Sequence, residues 1–398
     1  MNKINSIIVL VLVLSAPATY AQQTTLEPVL RVGYEHDDNA TLSTFTIEEQ
    51  EISGILLDAS LRYGYRSPKT TLTATARLLD RNYDEEEFDH TDEFFDLRYD
   101  YRGQSSRFQF RGSYANELTR TAERLDTNFD IEDPSEIPDD TTGLVAISDE
   151  RQRVDIIPTY TYDISDVATM GINIRYSDVS YGGEFAGLIN DYTNVLANLN
   201  FSRSMSARNT ALFGLTAGKY EADGSEAVSG YGINGGLQRL LSEKTTLRMI
   251  IGVVNTETTD GDSSTDPVGE ITLTRRLETI NLLAQYRRVV TGGGTGNLTA
   301  RDIININFTR ELTERVSAGI GVRAYSTTAL REGAGNAFDE RNYVQLRAAV
   351  AWNLSRTLSF EVTYRYTVLD RVNLGESGNS NNIRLWFNWR PSGYSSAH

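Results

Sequence analysis

The sequence predicts an all-β fold, a transmembrane antiparallel up-and-down β-barrel of about eighteen strands, and three observations lead there. Apolar and polar residues alternate in runs of about ten between residues 27 and 390. The breaks between those runs alternate between short and long. The chain also opens with the features of an export signal.

Lys3 supplies a charged start, residues 7–14 form an apolar run, and Ala16-Pro17-Ala18-Thr19-Tyr20-Ala21 is a small-residue cleavage region. The apolar run is too short to cross a bilayer as a helix. Cleavage is expected near Ala21, with Ala18 as a second position, so that 1–21 is the signal peptide and 22–398 the barrel.

Alternation is clearest where Leu358, Phe360, Val362, Tyr364 and Tyr366 interleave with Ser359, Glu361, Thr363, Arg365 and Thr367. Successive side chains of a strand point to opposite faces, so one face there is apolar and the other polar. Ile304, Ile306 and Phe308 against Asn305, Asn307 and Thr309 read the same way, and no stretch shows a helical period. Eighteen such runs are counted, and sixteen strands remain open. Short breaks include Ser67-Pro68-Lys69, Gly103-Gln104-Ser105 and Ser242-Glu243-Lys244; long ones fall near 37–50, 82–92, 118–149, 178–190, 221–228, 256–267, 290–299, 327–341 and 369–380. Short turns on one side and long loops on the other are the habit of outer-membrane barrels, with the turns in the periplasm. The last run, Ile383, Leu385, Phe387 and Trp389, resembles the aromatic terminal strand read by the barrel assembly machinery, although residues 390–398 follow it.

Mean hydropathy is −0.37, which a barrel tolerates because only every second strand residue meets lipid. Cysteine is absent and net charge is −16, so nucleic acid is excluded as a partner. Lysine occurs only at positions 3, 69, 219 and 244, and the remaining basic residues are arginine.

Those arginines fall repeatedly on the polar phase: Arg31, Arg62, Arg77, Arg98, Arg111, Arg175, Arg248, Arg287, Arg323, Arg347, Arg365 and Arg384. A charge facing hydrocarbon at mid-membrane costs roughly 2–4 kcal/mol, so strand arginines must face inward. They are expected to line the interior, either in ion-pair ladders with acids such as Glu35, Asp58, Asp96, Asp100, Asp155 and Glu361, or as a positively biased wall favouring anions. The longest break, 118–149, carries Asp126, Asp130, Glu132, Asp133, Glu136, Asp139 and Asp140. It is either a constriction folded into the lumen or a solvated acidic loop binding divalent cations at the lipopolysaccharide surface.

Catalysis, cofactors and metals find little support. Of three histidines only His36 sits where a rim protease would keep an acid–histidine pair. The stretch around Asp260-Gly261-Asp262 lacks the ligand spacing of a calcium loop and reads as a turn. Thr291-Gly292-Gly293-Gly294-Thr295-Gly296 lacks the Lys-Ser/Thr pair of a phosphate loop.

The first run ends Val32-Gly33-Tyr34-Glu35-His36-Asp37-Asp38-Asn39, which resembles the Gly-x-x-Tyr-Asp-Asp-Asn opening of a family of outer-membrane β-barrel porins associated with exopolysaccharide export gene clusters, with Glu35-His36 interrupting the pattern. The closing Trp389-Arg390-Pro391 resembles that family too. The resemblance implies a barrel that helps an extracellular polysaccharide cross the outer membrane, with periplasmic export components as partners beside lipid, lipopolysaccharide and the assembly machinery. Two alternatives stand next to it: a small-solute porin, general or anion-biased, and a non-conducting adhesin or structural barrel.

Overall fold

In the computed structural model, every alternating run becomes a strand of 13 to 16 residues. The structure describes residues 22–42, 49–124, 150–182, 189–330 and 340–397. The first strands are β1 (Gln23–Asp37), β2 (Ile52–Arg66), β3 (Thr70–Tyr83), β4 (His90–Arg102), β5 (Ser106–Leu118) and β6 (Glu150–Ser165). Next come β7 (Ala168–Gly182), β8 (Tyr192–Ser206), β9 (Asn209–Ala222), β10 (Val228–Ser242), β11 (Thr245–Thr258) and β12 (Ser263–Arg276). The circuit is completed by β13 (Ile280–Gly292), β14 (Leu298–Glu311), β15 (Val316–Ala329), β16 (Arg341–Asn353), β17 (Leu358–Arg371) and β18 (Glu376–Trp389). Each strand pairs antiparallel with the next, and β1 returns to β18 from Leu30↔Trp389 to Asp37↔Asn382. The sheet is therefore a closed barrel of eighteen strands, with no free edge over that span.

The outward phase is apolar. Leu30, Val32, Ile55, Leu57, Ile304, Ile306, Val350 and Phe387 all stand exposed on the outside. An apolar band of this extent around a protein is stable only against lipid. Tyr63, Tyr101, Tyr160, Tyr162, Trp352 and Trp389 border it at the short-turn ends, the place of an interfacial aromatic girdle. Phe387 and Trp389 belong to this outer surface.

Four expected long breaks are short. Only residues 223–227, 259–262, 293–297 and 372–375 separate the strands there. The ladder continues beyond the roughly 9–11 residues that cross hydrocarbon. Above the lipid the outward phase turns polar without any loss of pairing, so polarity alone marks the membrane boundary and not the strand end. Asp260-Gly261-Asp262 lies in one of these tight turns, with Gly261 at φ +94. The signal segment 1–21 lies outside the described residues.

The tail does more than trail behind the last strand. A short strand β19 (Tyr394–Ala397) pairs with Gln23–Leu26 of β1, so β1 is shared between β19 below and β18 above. Pro28, which has no N–H to donate, falls in the gap between the two ladders.

The seam is also held by side chains. Glu35 on β1 is fully buried and accepts hydrogen bonds from Arg384 Nη2 at 2.6 Å, Asn382 Nδ2 at 2.6 Å and the Tyr83 hydroxyl at 2.7 Å. Asp37 accepts from the Ser380 hydroxyl at 2.7 Å and Asn382 at 3.0 Å. Asp38, at the outer end of β1, accepts from the backbone N–H and side-chain amide of Asn381. Gly33 lets the Trp386 ring lie flat against β1, because a Cβ there would come within 2.6 Å of that ring and 2.9 Å of the Leu385 carbonyl oxygen.

Two substitutions test the seam. Gly33→Val should lower the proportion of chain that runs as the compact, heat-modifiable band in a semi-native gel, and Trp386→Ala in the same chain should restore part of it. Arg384→Ala leaves the buried Glu35 carboxylate without its nearer cation, with Arg81 4.0 Å away, and should destabilise the closed form by about 3 kcal/mol, read as a fall in the temperature at which that band disappears.

Candidate solute pathway

The inward phase decides what a solute in the barrel would meet. All twelve arginines expected on it, Arg31 through Arg384, lie on the strand phase opposite the lipid-facing residues. Acids and arginines are distributed unevenly around the circumference.

On the β1–β6 wall, arginines and acids are interleaved. Arg31 and Arg77 both grip the buried carboxylate of Asp58, Arg77 with bonds of 2.9 and 2.8 Å. Asp96 is shared by Arg98 at 2.9 Å and Arg111 at 3.3 Å, whose strands would otherwise set two guanidiniums face to face. Arg153 pairs with Asp155, and Arg107 with Asp100. Farther round, Arg248 lies 3.6 Å from Glu270, the residue directly opposite Arg287. Among the described residues Arg62 and Arg175 make no ion pair; Arg62 stands between Glu27 and Thr75 in the register, and Arg175 opposite Leu196.

On the β14–β17 wall the balance differs. Its inward phase carries Arg301, Arg323, Arg341, Arg347, Arg365 and Arg371. Between the two rims the described residues of that phase hold one carboxylate, Glu361, which receives Arg347 at 3.3 Å. Arg347 stands directly opposite Arg365, and Arg341 directly opposite Arg371. Like charges in register are unfavourable by themselves, and at the rim Arg371 also meets Glu376 of β18 at 3.7 Å.

Three connections at the long-loop end turn inward over these walls. After β1, Leu42 adopts φ +49, a conformation costly for a side chain with a Cβ, and is fully buried among Ile303, Tyr325, Tyr343 and Leu369 of the arginine wall. Tyr325 and Tyr343 stack there at 4.9 Å, with the Arg301 guanidinium 4.9 Å from the Tyr325 ring centre. After β5, the helix α1 (Thr119–Arg124) sets Arg120 over the inward-facing Tyr83 and over Phe88 of the β3–β4 connection, 5.8 and 5.1 Å from their ring centres. Arg120 is buried, so the longest connection starts on the lumen side. The acids expected to form a constriction, Asp126, Asp130, Glu132, Asp133, Glu136, Asp139 and Asp140, lie outside the described residues.

The third connection is the glycine run. The β12–β13 ladder stops at Gly269↔Arg288, two residues after Pro267, so the β13–β14 hairpin tip is released from β12 and leans across the mouth. It reaches Tyr220 of β9, whose hydroxyl donates to the Gly293 carbonyl oxygen at 2.5 Å, and Asn190, whose N–H donates to the Gly294 carbonyl oxygen at 2.7 Å. A Cβ at Gly292 would fall 2.3 Å from the Tyr220 ring, and one at Gly294 would fall 2.4 Å from Ile189. Glycine is required because the backbone itself packs on the aromatic wall.

Sequence reading missed Arg81, Arg151, Arg153, Arg301, Arg341 and Arg371. Arg341 and Arg371 lie in stretches taken for loops and the other four within a few residues of one, and the sign of them was alternation carried past the last lipid-facing apolar residue. His36 is on the outward phase at the rim, where its Nδ1 meets the Ser53 hydroxyl at 2.9 Å and Glu51 at 3.8 Å. Both contacts use the same nitrogen, so the imidazole cannot relay a proton between them. At the same rim Glu226, in the β9–β10 turn, hydrogen-bonds the Asp260 side chain, which raises its pKa above the ordinary carboxyl value.

No family model matches the chain, and no curated protein matches it. Among solved structures it is similar to a BenF-like porin from Pseudomonas fluorescens Pf-5, with a TM-score of 0.50 and 9% identity over 92% of this chain and 98% of that one. OpdQ of Pseudomonas aeruginosa follows at 0.47 and 10% identity, over 94% and 98%. The outer membrane channel DcaP of Acinetobacter baumannii stands at 0.45 and 10%, over 93% and 97%. The shared feature is the fold, an outer-membrane porin-type barrel of the same extent.

If the glycine run is held as described, Gly294→Val should displace it. Asn190 then loses the acceptor of its N–H, and its amide hydrogen exchange should accelerate by about tenfold, as the loss of one net hydrogen bond implies. Unchanged exchange would mean the hairpin tip does not rest on β7–β9.

Proposed function

We propose that this barrel is a small-solute porin of the outer membrane with a bias towards anions. The observation that carries the reading is the density of arginine on the β14–β17 wall, whose inward phase holds six arginines and, among its described residues between the rims, the carboxylate of Glu361, with Glu376 of β18 meeting Arg371 at the rim. A low-dielectric wall of one sign raises the local concentration of counter-ions along it. The β1–β6 wall, with its acids and arginines interleaved, adds a polar lining of small net charge. A solute that drops its hydration shell can exchange hydrogen bonds with either wall.

The alternative of polysaccharide export rests on the sequence resemblance and its gene association. Against it stand the three inward connections, each fixed by a buried side chain or a buried backbone, which narrow the mouth a polymer would have to leave by. The adhesin alternative predicts a filled interior. It is disfavoured by the number of half-exposed inward polar residues on β8–β12, such as Asn198, Thr216, Asn234 and Thr272.

Reversal potentials in planar bilayers under a salt gradient test the reading. The wild-type barrel should pass anions over cations. The triple variant R323Q/R347Q/R365Q should lower the anion-to-cation permeability ratio by about tenfold, while a closed barrel persists on the gel. A cation-selective wild-type channel, or a ratio unmoved by the triple change, would sink the assignment.

A further inference from the structure

The outward surface of the barrel carries a charge pattern that solute passage does not use. On β8, β10, β12 and β14 an outward apolar residue near the short-turn end is followed two positions later by an exposed arginine: Phe201 and Arg203, Leu237 and Arg239, Leu273 and Arg275, Phe308 and Arg310. The spacing of two keeps each arginine on the outer face of its strand, one step below the apolar band at the short-turn end. On the other half of the circumference that level holds aromatic residues instead: Tyr65, Tyr101, Tyr162, Trp352 and Trp389.

Among the described residues none of these four guanidiniums makes an ion pair or side-chain hydrogen bond. Their cross-strand neighbours are uncharged: Ala211 for Arg203, Asn209 for Arg239, Thr245 for Arg275, Ile280 and Ala318 for Arg310. The adjoining turns add Arg208, Lys244, Arg276 and Arg315 against Glu243, Glu278 and Glu314, so the arc keeps a positive excess. Apolar side chains follow three of them two positions farther towards the turn, with Met205 66%, Leu241 47% and Leu312 53% exposed. A rim that mixes free guanidiniums with exposed apolar side chains suits the boundary between acyl chains and headgroups better than open periplasm. At the opposite ends of the strands the outward phase is acidic, with Asp80, Glu93, Asp178, Glu221, Glu257 and Asp370. The basic arc is thus confined to one end and one side.

We propose that the arc Arg203, Arg239, Arg275 and Arg310 binds the phosphodiester headgroups of anionic phospholipids in the periplasmic leaflet. Guanidinium matches a phosphate's oxygens with two parallel donors, and the alternate-strand spacing offers one arginine to each of several neighbouring lipids. This rests on the short turns facing the periplasm and is independent of what the lumen conducts.

Native mass spectrometry of the mature barrel, released from detergent with equimolar phosphatidylglycerol and phosphatidylethanolamine, tests it. The wild type should retain phosphatidylglycerol over phosphatidylethanolamine by about fivefold per site, as expected for a basic residue beside an anionic headgroup. R203Q/R239Q/R275Q/R310Q should bring the ratio close to one, and the same four changes to lysine should keep a clear preference. Should the quadruple glutamine variant fail to fold, R239Q/R275Q alone should remove about half of the excess. Lys219→Gln, at the far end of the barrel, should leave the ratio unchanged. Equal retention of both lipids by the wild type, or a preference that survives the glutamine variants, would overturn the proposal. Loss of the preference to millimolar inorganic phosphate would overturn it as well, by showing a free-anion site.

Discussion

The rest of the structure depends on one closure, the antiparallel ladder between β1 and β18. In lipid an unpaired strand edge leaves a row of N–H and C=O groups with no water to satisfy them. A chain whose first and last strands failed to meet would therefore not be a weaker barrel but an open sheet. Backbone pairing from Leu30 to Asp37 is reinforced by Glu35, Arg384, Asn382, Asp37 and Ser380, all buried at the seam. The β19 extension adds a second, lower clasp on the same strand.

Closure also fixes what each residue can be used for. Once the ring is complete, every second residue belongs to lipid and the others to the interior, and a shift of one residue would exchange the two sets. That is why charged residues can be abundant in a membrane protein with net charge −16. Acids and arginines that would be ruinous outside become a lining inside. Where strands outrun the membrane, the inward phase is filled by Tyr83, Tyr220, Tyr325 and Tyr343, against which returning connections pack. The mouth is shaped by these aromatic residues as much as by the loops themselves.

Much of this was legible in the sequence, because alternation is a direct record of a two-sided environment. Strand count, closure and the inward setting of residues such as Arg98, Arg287 and Arg365 all follow from period two. The stretch Val32-Gly33-Tyr34-Glu35-His36-Asp37-Asp38-Asn39 carried meaning as well, although its role as a seam depends on Trp386 and Arg384, over 340 positions away. Strand ends were misjudged because polarity reports the edge of the lipid, whereas a strand ends where its partner does. The fold of the glycine run at 292–296 was not readable for a similar reason. Its conformation is set by where the β12–β13 ladder stops and by Tyr220 on a distant strand. Which arginines share a wall with acids and which cluster together needs the circular order of strands, since even Glu35 and Arg384 are neighbours only after closure.

The proposed porin needs a polar lumen that is continuous, narrowed at its outer mouth and rich in arginine along β14–β17. Swelling of liposomes containing the mature barrel, in isosmotic solutions of solutes graded by size and charge, tests it most directly. Small carboxylates should enter fast, neutral sugars of equal size more slowly, and long oligosaccharides should be excluded. Equal rates for short and long glycans would contradict the narrowed mouth, and no swelling with any solute would contradict the lumen itself.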